Sequence, residues 1–292
     1  ADLAHDHLPV RQFVPLGIAY LASYSKSIFG EKVDFRLFKS VVELLDACDE
    51  NKPDLVGFAN YTWNERLNAF AGFTLRKSFP NLPIVMGGPN ISTDEKEIEG
   101  FLKKYSFVDV YCMYGGELAF SKILENQLKG IPKNVWLKSL CSDPDFCGYS
   151  LYQREIIGSA NYKVDKNLNF IPSPYLTGTL DSFLEKNFIP IMETNRGCPF
   201  TCTFCVWGIS ALSKIQVFSM ERVKADLDYV TQYGSNFPQL VFADANFGIL
   251  KRDVEIAKHI RKVWEDSGAF TSIEVYWSKS AQDYMVEIGR VL

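Results

Sequence analysis

The sequence has no surplus of positive charge: 31 Lys and Arg stand against 35 Asp and Glu, a formal net charge of −4. Nucleic-acid binders carry a clustered basic excess that neutralises phosphates, so no nucleic-acid partner is expected. A membrane-spanning stretch is also lacking. The most apolar early segment, residues 13–24, falls short of the roughly 20 residues a spanning helix needs, and no charged region precedes it as in a signal peptide. A cytoplasmic protein with no membrane span is the expectation. A disulfide framework is missing too: the seven cysteines belong to a large chain, and three of them crowd into one short segment, which points to metal ligation in a reducing compartment. Internal repeats and low-complexity tracts are absent. What remains, 47% hydrophobic and 23% charged over 292 residues, is a globular composition long enough for two domains. The first residue is Ala1 rather than Met, and the final run SAQDYMVEIGRVL reads as an unfinished helix, so a fragment at both ends is expected.

Residues 1–129 alternate helical and strand patterns. Pro15 suits a first helical turn, and Leu16, Ala19, Tyr20, Ala22 and Tyr24 continue a buried helix toward Gly30. A strand over 33–38, a helix over 41–48, a strand over 54–59 and a helix over 65–79 stopped by Pro80 follow. Strands at 83–87 and 108–113 each lead into a glycine-containing loop and a further helix. Short apolar strands separated by helices mean βαβ units and a parallel sheet. The fold class is therefore α/β, a doubly wound Rossmann-like domain, with its first strand expected upstream of Ala1. Residues 130–187 lose this periodicity and read as a packed linker that keeps Trp136, Phe170 and Tyr175. Residues 188–292 resume with strands at 188–193, 239–243 and 272–277 and helices at 220–233 and 251–264, the opening portion of a β/α barrel.

Cys198, Cys202 and Cys205 stand as C-x-x-x-C-x-x-C in ETNRGCPFTCTFC, in the loop after the first barrel strand. Thiolates are the usual ligands of iron–sulfur clusters, and three of them on a four-iron cluster leave one iron open for a small molecule. The competing readings are a zinc site, which wants a fourth ligand, and three buried structural thiols.

In spacing and position these three cysteines resemble the signature of the radical S-adenosylmethionine (SAM) superfamily. The resemblance implies a [4Fe-4S] cluster that cleaves SAM. It also implies that Phe204, before the third cysteine, lies against the adenine, although a ring packing under the cluster is an equal alternative. Gly197 supplies freedom for a tight turn, and Arg196 is either an ion-pair partner or a cofactor contact. The run VFADANFG looks like the D-x-x-F segment of cobalamin-associated members, which implies that Asp244 and Asn246 face the SAM pocket; from physics alone Asp244 serves equally as a turn or capping residue. Ser278, after the third strand, is a further candidate for SAM.

Upstream, PLGIAYLASY, LVGFANYTWN, PIVMGGPNIS and VDVYCMYGGELAF match in order the cobalamin-binding domain that precedes such barrels. Asn60, Thr62, Gly87, Gly88, Asn90, Ser92, Tyr114, Gly115 and Glu117 are then the residues nearest a corrin, since ligands of open α/β sheets lie beyond the strand carboxyl ends. Individually each is also an ordinary βα-loop residue. The D-x-H-x-x-G signature that gives cobalt a histidine is absent. The histidines are His5, His7 and His259, and His5 and His7 read as solvated. Cys141 and Cys147 read as structural, and Cys48 and Cys112 as core thiols.

The resemblance implies an enzyme that reductively cleaves SAM to a 5′-deoxyadenosyl radical and methylates an unactivated carbon of a small-molecule or natural-product-like substrate. The electron would come from a donor such as flavodoxin or ferredoxin. Its rivals are cyclisation, rearrangement or oxidation on the same two domains, and a non-catalytic electron-transfer or redox-sensing protein. The substrate is not legible.

Overall fold

In the computed structural model, which describes residues 1–162, 167–233, 237–280 and 283–292, the chain folds into two units. One comprises residues 1–11 and 17–163, the other residues 12–16 and 164–292.

The first unit runs α1 (Leu16–Phe29), α2 (Val41–Glu50), β1 (Val56–Ala59), α3 (Glu65–Ser78), β2 (Ile84–Gly87), α4 (Glu95–Lys104), β3 (Val110–Cys112) and α5 (Gly116–Leu128). The strands β1, β2 and β3 are neighbours in that order and parallel. Their pleat sends alternate side chains to opposite faces. Ile84 and Met86 join Phe58, Leu75, Ile98 and Phe107 in one core, whereas Val85, Val110 and Cys112 join Phe120, Ile123 and Trp136 in another. A sheet that is apolar on both faces needs helices on both, and each fully buried aliphatic or Phe side chain contributes about 1.5–3 kcal/mol. This is the doubly wound arrangement that the alternation of elements predicts. Ends are fixed locally: Ser40 accepts the Glu43 N–H at the start of α2, and Asp94 accepts those of Lys96 and Glu97 at the start of α4.

Two stretches differ from expectation. Residues 33–38 form no strand. A strand needs a ladder, and here Phe38 and Lys39 offer carbonyls to the N–H groups of Asp2 and Ala4 at 2.9 and 3.0 Å. Ala1 in turn bonds β1, with Ala59 N–H donating to the Ala1 carbonyl at 2.8 Å. Residues 1–4 thus run between β1 and residues 38–39 without forming a strand of their own.

The stretch 130–187, expected as a linker, carries structure of its own, with residues 163–166 outside the described residues. Helix α6 (Lys133–Cys141) buries Trp136 completely. Strands β4 (Gly148–Tyr152) and β5 (Glu155–Ser159) form a hairpin that pairs antiparallel with β3 and extends the sheet. Its two turn residues, Gln153 and Arg154, both have positive φ, 50° and 72°. Such a turn normally announces itself through Asn-Gly or Asp-Gly, and these two residues carry no such signal.

The second unit holds α7 (Asp181–Leu184), β6 (Ile191–Met192), β7 (Asn195–Arg196), β8 (Gln216–Val217), α8 (Met220–Thr231), β9 (Gln239–Phe242), α9 (Asp253–Ser267), β10 (Ser272–Glu274) and α10 (Asp283–Val291). The sheet order is β10-β9-β6, all parallel. A parallel sheet whose strands lead on to α8, α9 and α10 is the opening of a β/α barrel. The helix expected in the final run is α10, and residues 281 and 282 lie outside the described residues. Among the described residues no helix is long and apolar enough to cross a membrane.

Candidate functional site

Strand β6 leads through Glu193 and Thr194 into β7, which pairs antiparallel with β8 through Asn195↔Val217 and Arg196↔Gln216. The loop between them carries Cys198, Cys202 and Cys205 and is closed at its base. Closure depends on Gly197, at φ 102°, because a β-carbon there would lie 2.3 Å from the Lys214 carbonyl oxygen. Cys198 N–H donates to the Leu212 carbonyl at 3.0 Å, Cys205 N–H to Cys202 at 3.1 Å, and Gly208 N–H to Cys205 at 2.9 Å. Arg196 Nε pairs with Glu193 Oε2 at 2.9 Å, an ion pair beside the loop.

Cys198 is 2% exposed, and Cys202 and Cys205 are half-buried. Among the described residues no three His, Cys, Asp or Glu side chains are grouped to hold a single metal ion. A four-iron cluster attaches each thiolate to a different iron, so its ligands stand wider apart than those of one zinc. The surroundings suit negative sulfur: Asn246 Nδ2 lies 3.0 Å from Cys198 Sγ, and Lys279 Nζ lies 3.5 Å from Cys202 Sγ. Nitrogen donors facing these sulfurs stabilise a thiolate-bound cluster, so the residues present fit one.

The residues sought for SAM fall into distinct settings. Phe204 is 88% exposed, a ring free to cover a ligand at the loop's rim. Ser278 is buried, its N–H donating to Phe247 O at 2.9 Å and its Oγ 3.3 Å from Ser280 Oγ. Asp244 is 0% exposed, and its carboxylate is taken up within the protein. It accepts from Thr194 N–H at 2.7 Å, from the Thr194 hydroxyl, from Asn195 N–H at 3.2 Å and from Asn195 Nδ2 at 3.0 Å. Burial raises its pKa from 3.8 to about 7 against the opposing pull of these donors. Asp244 therefore ties the end of β9 to the strand entering the cysteine loop. Asn246 faces Cys198.

In the first unit the ends of β1, β2 and β3 are stitched together. Asn60 is fully buried; its N–H donates to Gly87 O at 2.6 Å, its Nδ2 to Asn90 O at 2.9 Å and to Tyr111 Oη at 3.0 Å. Tyr111 Oη passes the bond on to Gly88 O at 2.8 Å. Asn60 and Tyr111 thus fix the loops instead of standing open. Gly88, at φ 128°, faces Asn60: a β-carbon would lie 2.5 Å from its carbonyl oxygen. The glycine is demanded by the neighbouring loop. Asn90 Nδ2 donates to Glu65 at 3.1 Å, and Ser92 Oγ accepts the Asp94 N–H at 3.0 Å. Tyr114 sits at φ 54° against Tyr162, whose hydroxyl would meet a β-carbon on Gly115 at 2.7 Å. Glu117 is buried at the head of α5. Thr62 is exposed beside Trp63, which stacks on Tyr61 at 4.4 Å and 6°. Thr62, Trp63, His5, Arg66, Lys104 and Tyr105 border a depression of about 550 Å³.

The remaining thiols differ in kind. Burial pushes Cys112 up well beyond the ordinary thiol range and Cys141 and Cys147 to about 12. They are protonated at neutral pH and poor ligands.

No family model matches the chain. Two curated relatives are each 28% identical over 294 residues, covering 95% of this chain and 40% of their own length. They are the cobalamin-dependent radical SAM methyltransferase TokK of Streptomyces tokunonensis and the 2-(S-pantetheinyl)-carbapenam-3-carboxylate methyltransferase of Streptantibioticus cattleyicolor. Among solved structures, the cobalamin-dependent S-adenosylmethionine radical enzyme OxsB with aqua-cobalamin and SAM superposes with TM-score 0.66 at 18% identity, over 99% of this chain and 41% of that one. The radical SAM methyltransferase TsrM of Kitasatospora setae, with cobalamin and a [4Fe-4S] cluster, gives TM-score 0.66 at 12% identity, over 99% and 56%.

The chain is similar to the cobalamin-dependent radical SAM enzymes.

The resemblance read from the cysteine spacing and the upstream strand ends is borne out, as is the α/β fold class. The chain spans about two fifths of the length of the curated relatives it matches. Sequence reasoning missed Thr194, Asn195, Tyr111 and Lys279. Thr194 and Asn195 meet Asp244 across some 50 positions, and Tyr111 meets Asn60 across 51; neither pairing leaves a local pattern. Lys279 is a lone cation after β10, indistinguishable in sequence from a solvated lysine.

Proposed function

We propose that this chain is the cobalamin- and cluster-bearing part of a radical SAM enzyme that methylates an unactivated carbon of a small natural-product-like substrate. The observation that carries this reading is the combination, in one chain, of a cysteine loop closed directly after β6 and a doubly wound unit with its strand ends stitched into an open edge. When bound, a reduced [4Fe-4S] cluster on Cys198, Cys202 and Cys205 supplies the electron that cleaves SAM, and a methylated cobalamin supplies the methyl group. The protein's own residues do the holding. Gly197 and the β7–β8 pairing shape the loop, Asp244 anchors its root, and Phe204 offers an aromatic face for an adenine ring. In the first unit Asn60 and Tyr111 hold the loops that would carry a corrin, and Thr62, Asn90, Ser92, Tyr114, Gly115 and Glu117 line their rims. The electron donor is of the flavodoxin or ferredoxin class, and the setting is the reducing cytoplasm that thiolate ligands need. The domain limits proposed for this reading are residues 1–129 for cobalamin and 188–292 for the barrel, with 130–159 added to the first by the hairpin and α6.

Anaerobic purification of the full-length protein tests the reading. Iron and sulfide in four-iron proportion, a corrinoid absorption spectrum and SAM-dependent formation of 5′-deoxyadenosine and a methylated product are expected. Absence of corrinoid from reconstituted, cluster-replete protein would remove methyl transfer from cobalamin.

A further inference from the structure

We propose that Asn246 is a positioning residue for Cys198 that raises the reduction potential of the cluster held there, by donating its side-chain N–H to the Cys198 sulfur. This rests on the reading of Cys198, Cys202 and Cys205 as cluster ligands. Asn246 is 1% exposed and Cys198 2%, and Nδ2 stands 3.0 Å from Sγ. A thiolate sulfur has no proton to give, so an amide facing it is attractive only through its N–H. Shielded from water, that contact meets no competition from solvent.

The amide is held in place from both directions along the chain. Two residues before it, Asp244 is bonded to Thr194 and Asn195. Directly after it, Phe247 N–H donates to Tyr276 O at 2.7 Å, and Phe247 O accepts from Ser278 N–H at 2.9 Å. Gly248 N–H donates to Asp253 Oδ2 at 2.9 Å. Among the described residues Asn246 Oδ1 is buried without a hydrogen-bond partner, so no rival bond turns the amide the other way. Reduction of an iron–sulfur cluster adds negative charge that its sulfurs share, and a hydrogen bond to sulfur favours the reduced form. Asn246 therefore serves electron uptake through the Cys198 sulfur.

The test uses the full-length protein reconstituted anaerobically. Asn246→Leu keeps the volume and removes the donor; iron content should stay at the wild-type level while the midpoint potential, followed by EPR during redox titration, shifts to more negative values. An iron-replete variant with the wild-type potential overturns the proposal. If the variant takes up no iron, the wild-type protein decides. With asparagine labelled at its side-chain nitrogen, pulsed EPR of the reduced cluster should show coupling to an amide nitrogen, and no such coupling overturns the proposal. Wild-type protein that assembles no cluster at all is a different result, which sinks the ligand assignment and the proposal with it.

Discussion

A β-carbon on Gly88 would sit 2.5 Å from the Asn60 carbonyl oxygen and 2.9 Å from its nitrogen, so the loop after β2 and the loop after β1 are fitted to each other at van der Waals limits. Gly88→Ala must push back the Asn60 backbone and adopt a positive φ that L-residues resist. The variant should lose about 1–3 kcal/mol of stability, read as a lower urea midpoint of the full-length protein in the absence of any corrinoid. A Gly88→Ala protein as stable as wild type would mean that the two loops part readily.

Replacing Cys198, Cys202 or Cys205 by Ala should reduce bound iron after reconstitution to near background and abolish 5′-deoxyadenosine formation, since each is one of only three thiolates. Cys141→Ala and Cys147→Ala should leave iron content unchanged, because burial keeps both thiols protonated. Iron and sulfide analysis of the five variants separates the two sets, and iron lost from Cys141→Ala or Cys147→Ala would redraw the ligands.

Asp244 should impose a pH dependence of a definite sign. Its carboxyl keeps its proton in the folded protein up to about pH 7, whereas its ordinary value is 3.8. Between those limits the folded state binds more protons than the unfolded one, so the stability this group contributes falls as pH rises from about 4 to 7 and is flat above. Asp244→Asn removes that slope. The stability difference between wild type and Asp244→Asn, measured by urea unfolding of the cluster-free protein, should therefore be larger at pH 5 than at pH 8. Equal differences at the two pH values would place the titration of Asp244 outside this window.

The fold was legible wherever a single element carried its own signal. The apolar runs at β2 and β3 and the Pro80 stop after α3 needed no knowledge of their neighbours. The β4–β5 hairpin was illegible because Gln153 and Arg154 adopt a turn whose usual residues are Asn and Gly. The same division holds at the candidate site. The cysteine spacing and Gly197 are local, and both read correctly as a loop after a strand. What Asp244 and Asn246 face was not readable, since their partners Thr194, Asn195 and Cys198 are 48–50 residues away. A resemblance could name these positions, but not say whether a carboxylate there meets a ligand or a backbone amide.

Trp63 lies on the first unit's strand-end edge, 39% exposed and stacked face to face on Tyr61. An indole held flat against one aromatic ring, with its flank to solvent, is an optical antenna. A coloured macrocycle seated over these loops would drain its fluorescence by energy transfer, and the Trp63→Phe protein would show how much of the total emission was lost from that one ring. The edge thus carries its own gauge of occupancy, readable in dilute solution without any label.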